Sequence, residues 1–128
     1  SNLIRQINLA AKKVKTLAGT RKNGYREGPF GKAVFSIPEY LITGPDGNLY
    51  IAEAGSLRLR KLDFKTKRTL LVSGSGNRGA INGGATIAEW NGPKGMAFID
   101  GALYVADFKN DLIRKVTFSG GVKAASKK

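Results

Sequence analysis

The chain consists mainly of short runs in which successive side chains are expected to point to opposite faces, as in a β-strand. Turn-forming residues separate these runs. Residues 57–64 follow this period, but apolar side chains occur on both sides of the run, so we expect both faces of that strand to be partly covered. The runs 49–52 and 103–106 are short and rich in β-forming residues, and each comes after an Asp-Gly turn signal. A polar turn at 65–67 then leads to a further run at 69–73. These patterns predict an all-β chain of short antiparallel strands.

An internal repeat organises these strands. The segment Ile4–Ile7 corresponds to Leu59–Leu62, and after a nearly equal interval to Ile113–Val116. The other matching positions are Leu17-Ala18-Gly19 with Val72-Ser73-Gly74, Gly28 with Gly83, Phe35 with Trp90, Pro38 with Pro93, and residues 47–53 with residues 101–107. Each unit predicts four strands, a to d, joined by tight turns. A repeat of four short antiparallel strands is typical of a β-propeller blade.

The repeat divides the single domain, 1–128, into about two and a half blades. Residues 38–73 predict one complete blade and residues 93–126 a second, whereas residues 3–18 supply only strands c and d of a preceding blade. Because sheets pack through large side chains, we expect the aromatic residues to form the core between blades. These are Phe30, Phe35, Phe64, Trp90, Phe98 and Phe118.

The two full units resemble the NHL repeat, whose pattern is a Pro-Gly-Ile start, a Gly-Asn-Leu-Tyr-Val-Ala-Asp middle and an Arg-Ile-Arg-Lys end. The second unit fits this pattern closely at Gly92–Met96, Leu103–Asp107, Asn110 and Ile113–Lys115. The first unit matches at Ile37-Pro38, 47–53 and 59–62, and it departs at Glu39-Tyr40 and at Glu53, which stands in place of Asp. The resemblance covers nearly the whole chain and implies four-stranded antiparallel blades of a partial NHL-type β-propeller. It leaves open which residues bind a ligand.

Two long connections, 20–36 and 75–91, separate the blades. The first resembles the extended loop of many secreted or cell-envelope NHL proteins, which favours an extracellular or envelope location. No run of the sequence is apolar for long enough to cross a membrane, and no signal-peptide pattern is present. We therefore expect no membrane insertion, and the compartment stays open.

The composition excludes several kinds of chemistry. The chain has no cysteine and no histidine, so disulfides, thiolate or histidine-ligated metals and Ser-His-Asp catalysis are excluded. No Asp-x-Asp-x-Asp calcium loop is present either. We expect no cofactor, no metal and no catalysis by this chain alone. The remaining enzymatic interpretation is a segment of a propeller enzyme whose catalytic residues lie elsewhere.

The net charge of +13, from 22 Lys and Arg against 9 Asp and Glu, opens a second interpretation. Such a basic chain attracts polyanions such as RNA or an acidic polymer, although lysines also keep strand edges soluble. Basic side chains beside an aromatic ring can hold phosphate and stack a base. The candidates lie on the two c–d hairpins and in the first long connection: Lys12, Lys13, Lys15, Arg21, Lys22, Tyr25, Arg26, Lys65, Lys67 and Arg68.

Residues that recur at equivalent positions are expected to belong to the scaffold. Arg5, Arg60 and Arg114 should pack along the blade and pair with a carboxylate or carbonyl. Glu53 and Asp107 should accept hydrogen bonds at the corner between strands b and c. Phe35 and Trp90 should occupy the same core position of successive repeats.

The number of blades is too small for a closed ring of roughly six. The chain is then a piece of a longer propeller, a subunit that associates with copies of itself, or a segment that docks on a different protein. We expect a non-catalytic binding module that is part of a larger propeller, or of one that a protein partner or self-association completes. Nucleic-acid or other polyanion binding through the basic hairpins is the alternative function.

Overall fold

The computed structural model describes residues 2–118 and the backbone of residues 121–124, and nearly all regular structure in them is β. The strands are β1 (Ile4–Asn8), β2 (Lys13–Ala18), β3 (Gly28–Pro29), β4 (Pro38–Thr43), β5 (Leu49–Glu53), β6 (Arg58–Asp63), β7 (Arg68–Ser73), β8 (Pro93–Ile99), β9 (Ala102–Asp107), β10 (Leu112–Thr117) and β11 (Gly121–Ala124). One turn of 3₁₀-helix, Phe108–Asn110, joins β9 to β10.

The strands form three antiparallel sheets that correspond to the repeat. β1 and β2 form a two-stranded half-blade. β4, β5, β6 and β7 form the first full blade, and β8, β9, β10 and β11 form the second. The all-β, partial-propeller fold expected from the sequence is confirmed. The end of the predicted second blade, at positions 125 and 126, lies outside the described residues.

The first full blade has a fifth strand that the repeat does not predict. The short strand β3, in the connection 20–36, pairs with the outer strand β7, with Gly28 opposite Thr69 and Pro29 opposite Arg68. The hydroxyl of Thr69 also donates to the carbonyl of Gly28, over 3.2 Å. The connection is therefore fastened along the outer edge of the blade that follows it.

The a–b turns follow the Asp-Gly signal. Gly47 and Gly101 have φ of +81° and +78°, a conformation that glycine adopts without strain. The carboxylate of Asp46 accepts from the backbone N–H of Asn48, the hydroxyl of Tyr50 and the ammonium of Lys61. Burial opposes ionisation, but these hydrogen bonds outweigh it and hold the pKa of Asp46 well below its usual range.

Adjacent sheets pack face to face over two hydrophobic clusters. The cluster between the half-blade and the first full blade consists of Ile4, Ala18, Ala33, Phe35, Ile51 and Leu62. The cluster between the two full blades consists of Tyr50, Ala52, Leu59, Ala88, Trp90, Met96, Leu103, Val105 and Val116. Each full blade therefore has a back face, towards the preceding blade, and a front face, towards the following one.

The aromatic residues do not all lie in these clusters. Phe35 and Trp90 are fully buried, as expected. Phe64, however, is 40% exposed, so the expectation that it belongs to the inter-blade core is wrong. Phe118 is 54% exposed, but it packs at the edge of that core against Tyr50 of the first full blade and Phe98 of the second, with ring centroids 5.8 and 6.1 Å apart. Phe64 directly follows β6 and packs edge-on against Phe30, with ring centroids 5.8 Å apart. Both rings lie just past the end of a strand, so neighbouring residues cover each of them only in part.

The start of strand a carries backbone strain in one repeat only. Ile37 has a φ of +49°, whereas its counterpart Gly92 has a φ of +78°. A β-branched residue in this region is an outlier, whereas glycine is not. The backbone N–H of Ile37 donates to the side chain of Asn2, over 2.9 Å, and its carbonyl accepts from Ala54. These two hydrogen bonds hold the position.

Candidate binding surfaces

Arg60 on β6 is fully buried and fastens the connection 20–36 to the first full blade. Its guanidinium lies 3.1 Å from the Glu53 carboxylate at the end of β5 and 2.8 Å from the Glu27 carboxylate in the connection. It also donates to the backbone carbonyls of Val34 and Arg26, over 2.7 and 2.6 Å. One side chain thus joins strands b and c to the loop that arrives from the preceding blade.

Arg114 repeats this arrangement in the second full blade. It lies 2.9 Å from the Asp107 carboxylate at the end of β9. It donates to the side chain of Asn82 over 2.9 Å, to the carbonyl of Ile81 over 2.8 Å and to the carbonyl of Glu89. Asn82 and Ile81 belong to the connection 75–91, so the same three pieces of chain meet. We call each buried arginine, with its carboxylate and its connection, an arginine clamp.

An aromatic ring completes each clamp. The guanidinium carbon of Arg60 lies 4.5 Å from the centroid of Phe35, and that of Arg114 lies 4.3 Å from Trp90. The indole N–H of Trp90 donates to the buried hydroxyl of Ser73 over 2.9 Å. Cations over aromatic faces are stabilised further when both are desolvated, as they are here.

The clamp carboxylate is held in a dry environment. Burial raises the pKa of Glu53, although the charge of Arg60 and a hydrogen bond from the hydroxyl of Ser56 act in the opposite direction. A buried carboxylate that lost its arginine would be costly to keep ionised. The pairing therefore depends on both partners.

Arg5, the third repeated arginine, differs from the other two because it is exposed. Within the described part of the chain, its guanidinium has no hydrogen-bond or ion-pair partner. Strand b and the long connection, which supply those partners in the full blades, are not among the described residues of the half-blade. The expected carboxylate or carbonyl pairing is therefore wrong for Arg5, which has the position of a clamp arginine without the rest of the clamp.

The back face of the half-blade is open. Ile7 is 62% exposed, whereas its counterpart Leu62 is completely buried. Val14, opposite Ile7 on β2, is also exposed. A groove of about 300 Å³ also lies along this hairpin, lined mainly by side chains of its other face: Gln6, Asn8, Ala11, Lys13, Val14 and Lys15.

The front face of the second full blade is open in the same way. Ile113 is 55% exposed, whereas its counterpart Leu59 is 1% exposed. A groove of about 300 Å³ lies beside Ile113 and is also lined by Tyr40, Gly95, Met96, Ala97, Tyr104, Val105 and Ala106. Both ends of the array therefore expose surfaces that are buried wherever two blades meet.

The basic candidates lie on three separate segments, and all of their side chains are exposed. Lys12, Lys13 and Lys15 lie on the β1–β2 hairpin, Lys65, Lys67 and Arg68 on the β6–β7 hairpin, and Arg21, Lys22, Tyr25 and Arg26 in the connection 20–36. Among the described residues, none of these lysines and arginines forms an ion pair through its side chain.

Tyr25 contacts the protein more than its loop position suggests. Its ring lies 3.7 Å from the guanidinium carbon of Arg58 and 4.8 Å from that of Arg60, and its hydroxyl donates to Glu27 over 2.8 Å. Burial and the hydrogen bond to Glu27 raise the pKa of Tyr25 to about 12. The ring is thus part of the surroundings of the first clamp.

Sequence reasoning missed Arg58. It donates to the backbone carbonyl of Ser75 over 3.0 Å, and so contacts the start of the second connection. The sequence does contain a hint of this role, because Arg58 breaks the repeat: Leu3 and Leu112 occupy the equivalent positions. A charged residue where other repeats carry leucine indicates a local contact.

Positive charge is concentrated in the first fifth of the sequence, which comprises the half-blade and the start of the connection 20–36. The segment 1–26 contains seven of the Lys and Arg side chains and no Asp or Glu. The first carboxylate of the sequence, Glu27, is already paired with Arg60. More than half of the net charge of +13 therefore belongs to the half-blade and the loop after it.

The described residues contain no group of three or more acidic residues that could hold a metal ion. Within the same residues, no helix is long and apolar enough to span a membrane.

No family model matches the chain, but two curated proteins do. The chloroplastic protein SUPPRESSOR OF QUENCHING 1 of Arabidopsis thaliana is 31% identical over 101 residues, which are 78% of this chain and 10% of that protein. NHL repeat-containing protein 2 of Gallus gallus is 37% identical over 68 residues, which are 53% of this chain and 9% of that protein. The chain thus spans about a tenth of the length of the curated relatives it matches.

Solved structures with a similar fold are also several times longer. A structural genomics protein of unknown function from Bacteroides thetaiotaomicron has a TM-score of 0.82 at 23% identity, over 95% of this chain and 30% of that one. An auxiliary nutrient binding protein from Bacteroides ovatus has a TM-score of 0.72 at 20% identity, over 95% of this chain and 32% of that one. At the level of repeat type and fold, these likenesses agree with the sequence pattern: the chain is an array of NHL-type propeller blades.

Proposed function

We propose that this chain is a non-catalytic binding module that packs against further blades through the open faces at its two ends. The observation that carries the proposal is the exposure of Ile113 and Ile7 at positions that are buried in the interior of the array. Exposed apolar surfaces of this kind mark interaction sites on soluble proteins. Each face has a known complement, since front and back faces already pack together twice within the chain.

A protein of similar fold supports a binding role. A solved relative by fold is an auxiliary nutrient binding protein, and the chain covers 32% of it. That likeness supports the fold of this chain. The nutrient that the solved protein binds is a property of that protein alone. Cys and His are absent from the sequence, so the commonest general base and the thiolate nucleophile are missing from it.

The test is the association state of the chain and of a front-face variant. Light scattering after size exclusion, at several concentrations and at low and high salt, should show association that persists at high salt, because apolar contacts drive it. The substitution Ile113→Lys should reduce this association and the binding of an apolar fluorescent dye. Ile87→Lys is the matched control, since Ile87 is 60% exposed in the connection 75–91.

Two results would contradict the proposal. One is a strictly monomeric chain that binds no apolar dye at any concentration. The other is an equal effect of Ile113→Lys and Ile87→Lys, since the front face would then have no special role.

A second candidate function is polyanion binding, and the acid-free segment 1–26 favours it. If RNA or an acidic polymer binds there, the affinity should fall steeply with salt, because each neutralised phosphate releases counterions. Replacing Lys12, Lys13 and Lys15 with Gln should lower that salt dependence. Replacing Lys65, Lys67 and Arg68 with Gln removes the same charge elsewhere, and an equal effect would indicate non-specific attraction only.

A further inference from the structure

We propose that the free edge of β1 binds an incoming strand pair of the β4–β5 type, whose terminal carboxylate pairs with Arg5. This inference rests on the proposed function and specifies the chemistry of the partner at the back end. It follows from the register of the full blades, the charge of the half-blade and the pairing of the strands elsewhere in the chain.

The position of β1 in the repeat identifies its missing neighbour. β1 is a strand c, and in both full blades strand c lies between strand b and strand d. β6 pairs with β5 and β7, and β10 pairs with β9 and β11. Within the described residues, β1 pairs with β2 only, so one edge presents free backbone N–H and C=O groups.

The register of the full blades predicts how the incoming strand aligns with β1. Arg60 lies opposite Ile51, and Glu53 lies opposite Arg58. Arg114 lies opposite Val105, in the same relation. Applied to β1, this register places an apolar residue opposite Arg5 and a Glu or Asp opposite Leu3. The carboxylate then reaches the guanidinium across the face of the sheet, as it does in the two clamps.

Charge complementarity favours an acidic occupant. The half-blade carries Arg5, Lys12, Lys13 and Lys15, and no carboxylate side chain precedes Glu27. An incoming strand with net negative charge would be attracted to this end and oriented by it. Backbone pairing supplies affinity in such strand addition, whereas side-chain contacts supply specificity.

A second copy of the chain does not provide a suitable strand. Among the described residues, both strands of the b type are already paired on both edges, β5 by β4 and β6, and β9 by β8 and β10. The second full blade has its own strands c and d, so it has no need of the β1–β2 hairpin of another copy. The occupant is therefore a strand pair that lies outside residues 1–128.

The experiment uses the full chain and a labelled peptide that copies residues 38–53, the β4–β5 hairpin with Glu53 at its end. Fluorescence anisotropy should show saturable binding of one peptide per chain. A peptide with Glu53→Gln should bind about tenfold more weakly, because a buried charged partner is then left unpaired. The chain variant Arg5→Met should also bind the original peptide about tenfold more weakly, and it should not distinguish the two peptides.

The matched control is Arg21→Met, which removes one charge from the neighbouring loop. It should bind the original peptide with unchanged affinity and should still distinguish Glu53 from Gln. Because Arg5 and Arg21 are both exposed, both variants should fold, and an unchanged thermal midpoint checks this.

Three outcomes would overturn the inference: no saturable binding, equal weakening by Arg5→Met and Arg21→Met, or a stable dimer of the chain that excludes the peptide. Failure of the peptide to bind, together with association that Ile113→Lys still abolishes, would refute strand addition at β1 and leave the proposed function intact.

Discussion

The guanidinium of Arg60 lies 3.1 Å from the carboxylate of Glu53, and both side chains are completely buried. Removal of one partner leaves the other as an uncompensated charge in a dry site. Arg60→Met should therefore lower the free energy of unfolding by about 3–5 kcal/mol, measured by urea denaturation. The double variant Arg60→Met with Glu53→Met should lose less than the sum of the two single variants, because the pair is coupled.

Arg5→Met is the control for this prediction, since Arg5 occupies the same repeat position but is exposed. It should change stability very little. A similar loss in Arg5→Met and Arg60→Met would contradict the clamp.

Ile37 is the position at which a substitution should stabilise the chain. Its φ of +49° is unfavourable for a β-branched side chain that is 53% exposed, so little packing would be lost on replacement. Ile37→Gly should raise the free energy of unfolding by about 1 kcal/mol, measured from the shift of the urea midpoint. The reciprocal change, Gly92→Ile, should lower it, and stabilisation by both changes would show that φ is not the cause.

The phenol of Tyr25 should ionise only at high pH. Burial and the hydrogen bond to Glu27 raise its pKa from 10.0 to about 12, so the folded state holds this proton more tightly than the unfolded state does. The corresponding stability is fully present below pH 10 and is lost as the pH rises through about 12. Phenolate absorbance of the folded chain should therefore still increase near that pH, and Tyr25→Phe should remove one ionisation from this late component. The rest belongs to Tyr50, whose pKa is also raised by burial and by its hydrogen bond to Asp46. An unchanged titration curve in the variant would refute the assignment.

Trp90, the single tryptophan, reports on the cluster between the full blades. Because the side chain is completely buried, its fluorescence should be blue-shifted and poorly accessible to soluble quenchers. Ser73→Ala removes the acceptor of its indole N–H and should cost about 1–3 kcal/mol, since a buried donor is left unsatisfied. Ser75→Ala is a suitable control, because Ser75 lies at the start of the connection 75–91 that carries Trp90. An equal loss of stability in this variant would contradict the role of Ser73.

Much of the fold could be predicted because the chain contains repeated units whose sequences can be compared with one another. The spacing between Arg60 and Arg114 places strands b and c correctly in both full blades, and the Asp-Gly pairs locate the a–b turns. The pairing of repeated arginines with a carboxylate or carbonyl was also anticipated for these two residues. Such features depend on local patterns that occur more than once.

The remaining features depend on contacts between distant segments. Strand β3 and the stacking of Phe35 on Arg60 arise because the connection 20–36 folds back over the next blade, which no local pattern indicates. The exposure of Arg5 was missed for a related reason, since its repeat position predicts a clamp whose other parts are not among the described residues. Arg58 and Tyr25 form their contact only after this folding back.

The arginine clamp also determines where the chain can be divided. Each clamp binds a connection to the blade that follows it, so the unit that a clamp holds together begins at the connection and ends with strand d, as in 20–73. A dissection at the sheet boundary, just before residue 38, would separate Arg60 from Glu27 and from the carbonyl of Val34. A cut just after strand d keeps every contact of the first clamp within one piece. Duplication of this shifted unit would lengthen the array while leaving each buried arginine with its partners.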